Sequence, residues 1–191
     1  MNTGKSIRSL KNLFKKYGKY DYTEPISLES HMVQSAMWAR GKKYNKHVQL
    51  GCLLHDVGHM VALQNELPQM MTKGVSYGGK NHDKVGSDYL RGLNIDEDVC
   101  KMVENHVNAK RYMVSKYKVY YNLLSTASKI SLDDHQGGKM SEYEMYKFET
   151  DPLNPAYLAL RMSEEQSKIP NMKIGSVNGW IDTLILFNKS D

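Results

Sequence analysis

Apolar residues recur three or four positions apart along most of this chain, which is the spacing of one face of an α-helix. Met32, Ala36 and Ala39 follow this spacing, and Gly41 marks a helix end. The pattern predicts helices over residues 26–40, 47–60, 82–92, 96–114, 117–132, 140–148 and 157–165. We therefore expect an all-α fold. The final apolar segment, residues 180–187, fits a helix or a strand by periodicity alone.

Residues 64 to 80 interrupt the helical pattern. They contain Pro68 and three glycines, Gly74, Gly78 and Gly79, and such residues break regular helices. Long loops of this kind often cover a binding site as a lid. The sequence predicts such a loop here, directly before His82.

The composition fits a globular helical bundle of modest size. The chain has 191 residues, of which 40% are hydrophobic and 25% charged, and the net charge is +5. This length predicts a single domain over residues 1–191, with a core from about residue 24 to residue 165. The positive charge suits nucleic acid, an anionic membrane surface or a small anionic substrate. The dense basic stretch from Lys5 to Lys19 is interpreted as a solvated helix face, so we expect neither nucleic acid nor a membrane as a partner.

The cysteines and the apolar runs indicate the compartment. Cys52 and Cys100 are too few for a disulfide framework, which fits a reducing environment. The first residues lack an apolar signal core, and no apolar run approaches the roughly 18 residues of a membrane span. We therefore expect a soluble, cytoplasmic protein.

The histidines carry the candidate chemistry. Most of the seven histidines lie on or beside predicted inward-facing helical stretches, namely His31, His55, His59, His82 and His106. A single histidine on an apolar face is usually a core residue, but such a group favours a metal site. Asp56 adjoins His55, and a carboxylate can bridge two metal ions where an imidazole cannot. Such ligands suit iron, manganese, cobalt or zinc.

His59 needs a separate interpretation. It follows His55 by four residues and would share its face on one continuous helix. Histidines beside a metal centre often contact the substrate or orient a ligand. We therefore expect His59 to face the substrate rather than bind metal.

The order of these residues resembles a known superfamily. His31, the His55–Asp56 pair, His82 and His106 are similar to the pattern of the HD-domain superfamily of metal-dependent phosphohydrolases. The stretches HDVGH from residue 55, NHDKVGSDYLRGL from 81, ENHVNAKRY from 104 and ASKISLDDHQGG from 127 further resemble the HD-domain phosphonate oxygenases, a non-haem di-iron branch.

The resemblance implies a single-domain HD-domain helical bundle with a mixed-valent pair of iron ions and dioxygen as co-substrate. It implies oxidative cleavage of the carbon–phosphorus bond of a small hydroxylated aminoalkylphosphonate, with release of phosphate. His31, His55 and Asp56 would bind one iron, and His82 and His106 the other, with Asp56 between them. Asp56, His59 and Lys110 would be the catalytic residues.

The resemblance also implies residues that bind the substrate. Lys110 follows His106 by one helical turn, where its ammonium would hold the phosphonate. Ser125 and Ser128 lie where many HD hydrolases place an alanine–aspartate pair, and a serine hydroxyl suits a phosphonate better than a metal. The remaining predicted contacts are His59, Gln136, Glu24 for a substrate amine, and Tyr22.

One metal ligand departs from the oxygenase pattern. The oxygenases supply a last aspartate from an R-x-W-D segment, whereas this chain continues Met162, Ser163 and Glu164 after Arg161. We expect Glu164 to replace that aspartate. Asp133 and Asp134 are the other carboxylates near a motif, and they are expected to stabilise the turn before Gln136.

Two other functions remain open at this stage. An HD phosphohydrolase of a nucleotide or phosphomonoester would use one divalent ion and no oxygen. A metal-bearing regulatory module would keep the site without turnover.

Overall fold

The computed structural model describes residues 3–21 and 23–187, and most of them are helical. The elements in chain order are α1 (Thr3–Tyr17), α2 (Leu28–Gly41), α3 (Lys46–Leu54), α4 (Val57–Gln64), β1 (Gln69–Thr72), β2 (Val75–Gly79), α5 (His82–Gly92), α6 (Glu97–Lys116), α7 (Tyr120–Leu123), α8 (Thr126–His135), α9 (Glu142–Thr150), α10 (Asn154–Glu165) and α11 (Val177–Phe187). The predicted all-α class is confirmed. The segment that fitted either helix or strand, residues 180–187, is part of α11.

Side-chain caps explain where several helices begin. Ser27, Asn45 and Ser125 accept hydrogen bonds from backbone N–H groups in the first turns of α2, α3 and α8. At the start of α9, Ser141 and Glu144 cap each other's backbone N–H groups. These polar residues therefore fix the helix starts independently of the apolar pattern.

The predicted single helix over residues 47–60 is wrong. The structure contains α3 and α4 in this segment, with a break at His55 and Asp56. Asp56 has φ −99° and ψ 11°, which lies outside the α-helical region. His55 and His59 consequently do not share the face of one helix.

The predicted helix over residues 117–132 is also divided. After α7, Leu124 adopts an extended conformation with ψ 144°. Ser125 then caps α8 by accepting a hydrogen bond from the Ser128 N–H. The chain therefore turns between the two short helices.

The predicted loop over residues 64–80 contains an antiparallel β-hairpin. Strand β1 pairs with β2 in a register that joins Thr72 to Val75 and Gln69 to Gly79. The two strands are only four and five residues long, so alternation was too brief to be seen among the glycines. Met70 and Tyr77 on this hairpin line the cavity described below.

The apolar core joins helices from both ends of the described chain. Helix α6 packs against α3, α5 and α10, and α2 packs against α3 and α10. Leu10 of α1 and Ile185 of α11 are fully buried in the same core cluster. The core therefore extends beyond the predicted range of residues 24 to 165. Within the described residues, no helix is both long enough and apolar enough to cross a membrane.

Candidate metal centre

The break between α3 and α4 places Asp56 at the middle of a cluster of imidazole rings. The Nε2 atoms of His31 and His55 lie 3.6 and 3.3 Å from Oδ2 of Asp56. The Nε2 atoms of His82 and His106 lie 3.7 and 3.6 Å from the other oxygen, Oδ1. Oδ2 thus faces His31 and His55, while Oδ1 faces His82 and His106, with Nε2 of His59 3.8 Å from the same oxygen. Four sequence-predicted ligands and the predicted bridge are brought together in this way.

Backbone carbonyl groups orient three of these rings. Nδ1 of His31 lies 2.9 Å from the Ser167 oxygen, Nδ1 of His55 lies 2.8 Å from the Cys52 oxygen, and Nδ1 of His106 lies 2.6 Å from the Val103 oxygen. A carbonyl oxygen only accepts, so the ring N–H is at Nδ1. When these rings are neutral, their Nε2 atoms present lone pairs to the centre, as metal-ligating histidines do.

The distances between paired rings fit a metal ion. The Nε2 atoms are 3.2 Å apart in the His31–His55 pair and 3.1 Å apart in the His82–His106 pair. Two ring nitrogens this close need either a proton between them or a cation beside both. Two nitrogens bound at right angles to one ion, at about 2.1 Å each, are roughly 3.0 Å apart. The residues present therefore fit two metal ions, one for each pair.

The pKa values of the clustered histidines and of Asp56 indicate a site that favours a bound cation. Burial lowers the pKa of His31 and His82, and it lowers that of His106 to about 4, so these rings are neutral at pH 7, as metal binding would require. Burial also acts to lower the pKa of His55, but the Asp56 carboxylate raises it to about 9, so a metal ion would replace the proton that this ring otherwise holds at Nε2. Burial acts to raise the pKa of Asp56, and the histidines around it, led by His55, hold it well below its usual range. A cation beside Asp56 is therefore electrostatically favoured.

His59 differs from His31, His55 and His106 in its proton position. Its Nδ1 accepts a hydrogen bond of 2.9 Å from the Gly79 N–H, so the proton of the neutral ring is at Nε2. That Nε2 lies 3.8 Å from Oδ1 of Asp56, and the ring stacks on His82 with centroids 3.9 Å apart. Burial lowers the pKa of His59 to about 4, which keeps the ring neutral. His59 thus presents an N–H donor at the centre.

Two glycines permit the close packing around His59 and His82. A Cβ atom at Gly58 would lie 1.8 Å from the carbonyl oxygen of His82, so the backbones of α4 and α5 touch at this point. Gly78 has φ +99°, and a Cβ there would lie 2.4 Å from the His59 ring. The hairpin and α5 reach the centre only because these positions lack side chains.

A cavity of about 90 Å³ opens above the cluster, which suits a small ligand. Its wall combines the imidazole rings with polar and charged side chains from α6, α8, α10 and the hairpin. The lining includes Glu24, Asp56, His59, Lys110, Ser128, Ser131, Gln136, Glu164 and Lys168.

Lys110 is buried in this wall, with 5% of its surface exposed. Its Nζ donates a hydrogen bond of 3.2 Å to Oγ of Ser131. Burial, together with the charges of Arg161 and Lys168, lowers the pKa of Lys110 to about 7. Lys110 therefore lies at the cavity where the sequence predicted a substrate contact.

Glu24 and the predicted serines form one hydrogen-bonded group with Lys168. The Nζ of Lys168 lies 2.7 Å from Oε1 of Glu24, 3.1 Å from Oγ of Ser125 and 3.3 Å from Oγ of Ser128. The Ser125 hydroxyl donates to the same Glu24 oxygen at 2.7 Å. Ser128 and Glu24 line the cavity, whereas Ser125 supports them from behind.

Glu164 faces the cavity from α10. Its Oε1 accepts a hydrogen bond of 2.6 Å from Arg161, and its buried Oε2 has no hydrogen-bond partner among the described residues. Burial acts to raise its pKa, but Arg161 and the nearby histidines lower it to about 2. Arg161 also pairs with Glu165 and donates to the Tyr120 hydroxyl. An ionised, unpartnered oxygen is available to a metal ion.

Of the remaining described residues that the sequence analysis considered for the site, one lies at the cavity and two do not. Gln136 lines the cavity, and its buried Oε1 has no hydrogen-bond partner among the described residues. Asp133 accepts a hydrogen bond from Tyr121, and Asp134 accepts one from Thr72, so both carboxylates are engaged at the exposed end of α8. Tyr22 lies outside the described residues.

Sequence analysis missed Ser131 and Lys168. Ser131 follows Ser128 by three residues on α8, and this helical spacing was a usable signal for a second hydroxyl on the same face. Lys168 lies beyond α10, in a segment without periodicity. No signal in the sequence distinguishes it from an exposed lysine.

Comparison with known proteins gives one family and several relatives. The sequence model of the HD domain matches residues 20–151. An uncharacterized protein of Acanthamoeba polyphaga mimivirus is 34% identical over 181 residues, which are 94% of this chain and 80% of the relative.

Two further relatives have names that state a reaction. The glycine-betaine-forming dioxygenase of 1-hydroxy-2-(trimethylamino)ethylphosphonate from Leisingera caerulea is 29% identical, over 91% of this chain and 85% of the relative. A hydroxymethylphosphonate dioxygenase from Gimesia maris is 28% identical, over 90% of this chain and 82% of the relative. The chain is similar to both over nearly its whole length.

Proposed function

Since the chain belongs to the HD domain family, we propose that it is a di-iron oxygenase that cleaves the carbon–phosphorus bond of a small hydroxylated phosphonate. In this reaction the C–P bond and one C–H bond of the hydroxyl-bearing carbon break, a new C–O and a new P–O bond form with the two oxygen atoms of dioxygen, and one proton is released. The hydroxyl-bearing carbon becomes a carboxylate and phosphorus leaves as phosphate. Dioxygen takes up all the electrons released, so no further reductant is consumed.

The arrangement of Asp56 between two histidine pairs is the main support for two metal ions. His31 and His55 face one carboxylate oxygen, and His82 and His106 face the other. We assign these residues, with Glu164 as the last ligand, as the iron site. Imidazole and carboxylate ligands suit iron, and the described cysteines are buried away from the cavity lining. Two bound irons would supply the redox chemistry that activates dioxygen.

The cavity wall supports a phosphonate as the ligand. The Lys110 ammonium and the Ser128 and Ser131 hydroxyls lie together on one side of the cavity, and such groups bind phosphoryl oxygens. In our proposal Lys110 holds the phosphonate, and the negative charge of the phosphonate dianion stabilises the protonated form of Lys110. The His59 Nε2–H donates to an oxygen of the substrate above the metal ions, which makes it a positioning donor rather than a ligand.

The position after Ala127 favours an oxygenase over a hydrolase. Many HD hydrolases have a metal-binding aspartate there, whereas this chain has Ser128, which receives a hydrogen bond from Lys168. A hydroxyl is a weak metal ligand but a good partner for a phosphonate. The names of two relatives share a hydroxylated phosphonate and dioxygen, which favours the same reaction class.

The experiment measures phosphate and the carboxylate product from hydroxyphosphonates, with iron-loaded protein, in the presence and absence of dioxygen. We expect phosphate release that requires dioxygen and is lost in Asp56→Asn. Asp133→Ala, which changes an exposed carboxylate of α8, is the matched control and should retain activity. Release of phosphate from phosphomonoesters without dioxygen would favour a hydrolase. No turnover on either panel would favour a regulatory metal site.

A further inference from the structure

We infer that Lys168 is a specificity-determining residue that occupies the Glu24 carboxylate, so that the substrate is a hydroxyalkylphosphonate without a cationic amine. This inference rests on the proposed function and concerns the part of the cavity wall where Lys168 contacts Glu24 and Ser128. A carboxylate such as Glu24 beside an anion-binding site would be expected to hold a positive group of the substrate. The chain itself already supplies that group.

Lys168 is fully engaged at this position. An ammonium group has three hydrogens, and the structure provides three acceptors, namely Glu24, Ser125 and Ser128 at 2.7, 3.1 and 3.3 Å. The Ser125 hydroxyl donates to the same Glu24 oxygen, Oε1, that accepts from Lys168. A substrate amine would have to displace Lys168 in order to bind that oxygen.

The backbone around Lys168 is held in place, so the side chain does not belong to a loosely attached surface segment. The carbonyl oxygen of Ser167 accepts from Nδ1 of His31 at 2.9 Å. Gln34 forms two hydrogen bonds with the backbone of Ile169, of 2.9 and 3.0 Å. The same helix, α2, therefore carries a metal-site histidine and fixes the residues on both sides of Lys168.

Lys168 also adds positive charge to the cavity wall beside Glu24. Its side chain is 19% exposed and that of Glu24 is 22% exposed, so the pair is largely removed from water. A second ammonium beside Glu24 would lie within a few ångströms of Lys168, where like charges repel strongly. The cavity instead offers the Lys110 ammonium and serine hydroxyls on α8 to a ligand, and the charge of Lys168 lies beside them. Such a wall fits a phosphonate dianion on a short neutral carbon chain.

The test compares two substrates within each protein. The ratio of kcat/KM for hydroxymethylphosphonate to kcat/KM for 1-hydroxy-2-aminoethylphosphonate is measured for the wild type, Lys168→Met, Glu24→Gln/Lys168→Met and Lys173→Met. A ratio within one protein cancels losses from partial misfolding. Affinities for both compounds, measured without dioxygen by calorimetry, give a readout independent of turnover.

We expect the wild type to prefer the amine-free compound. Lys168→Met frees Glu24 and should shift the ratio roughly ten- to hundredfold toward the amine, the range for a charged hydrogen bond. The double variant should lose this gain, and Lys173→Met, which changes an exposed lysine, should match the wild type. A wild-type preference for the amine, or an unchanged ratio in Lys168→Met, would overturn the inference alone. Phosphate from neither compound would overturn the proposed function as well.

Discussion

Replacement of Lys110 by methionine should stabilise the metal-free protein while weakening anion binding. The ammonium of Lys110 is buried on α6, and its pKa is lowered from 10.5 to about 7 by burial and by the charges of Arg161 and Lys168. Methionine has a similar length and no charge to bury. Ser131, which accepts the Lys110 hydrogen bond, keeps its own bond of 3.1 Å to the Ser128 carbonyl oxygen.

The sign of the effect follows from proton binding. Between pH 7 and about 10.5 the unfolded chain holds a proton on residue 110 that the folded protein has released, so this group makes stability rise with pH. Relative to an unperturbed lysine, the folded protein is destabilised by about 4 kcal/mol at pH 7 and by about 2 kcal/mol at pH 9. Lys110→Met removes this penalty and should be more stable by that order, with the smaller gain at pH 9.

The assay is urea unfolding of the chelated protein at both pH values. Lys101→Met, on an exposed position of the same helix, is the control and should change little at either pH. Phosphonate binding to the metal-loaded protein should weaken roughly 10- to 150-fold in Lys110→Met. A gain in stability that is equal at pH 7 and pH 9, or a loss at both, would refute the reasoning about the buried charge.

Three further changes test the centre. Elemental analysis should show that Asp56→Ala loses both metal ions, because the two Asp56 oxygens face different histidine pairs. His82→Ala should retain about one metal ion. Full metal occupancy in Asp56→Ala would exclude a bridging role for Asp56. Gly58→Ala should lower the free energy of unfolding in urea by more than about 3 kcal/mol, since the new Cβ would lie 1.8 Å from the His82 carbonyl oxygen. A variant as stable as the wild type would contradict that contact. Glu164→Gln should weaken iron binding by roughly tenfold or more, while Asp133→Ala should not, and equal affinities would remove Glu164 from the ligand set.

Sequence periodicity predicted the helices that bury one continuous stripe of side chains along a single face. Helix α6 buries Val99, Met102, Val103, His106 and Lys110 at three- and four-residue steps, as a helix against a core requires. The inward position of His106 was therefore predictable. The two short strands, in contrast, are too brief for alternation to emerge, and the hairpin was predicted as a loop.

The break between α3 and α4 could not be found from periodicity. Residues on both sides are apolar and fully buried, so the apolar stripe continues through the break without a visible change of phase. The deviation is a property of the backbone at Asp56, at φ −99°. Gly58 allows α4 to contact α5 immediately afterwards. Tertiary contact, rather than local preference, therefore sets the geometry of the site.

Long-range contacts likewise place Lys168. Its partner Glu24 is 144 residues away along the chain, and the segment that carries it is held by hydrogen bonds to α2. An isolated lysine after a helix is usually solvated, so the sequence alone favours an exposed side chain for Lys168 rather than one at the cavity. Only the folded chain shows that this ammonium lies at the cavity.

The different roles of His55 and His59 depend on the partner of each ring's Nδ1 atom. On a straight helix, His55 and His59 at positions i and i+4 would present equivalent rings to one ion. In the structure, Nδ1 of His55 faces the carbonyl oxygen of Cys52, whereas Nδ1 of His59 accepts the N–H of Gly79 from the hairpin. When both rings are neutral, the first contact leaves a lone pair at Nε2 and the second leaves a proton there. A backbone acceptor behind one ring and a backbone donor behind the other thus make His55 a candidate ligand and His59 a hydrogen-bond donor at the same centre.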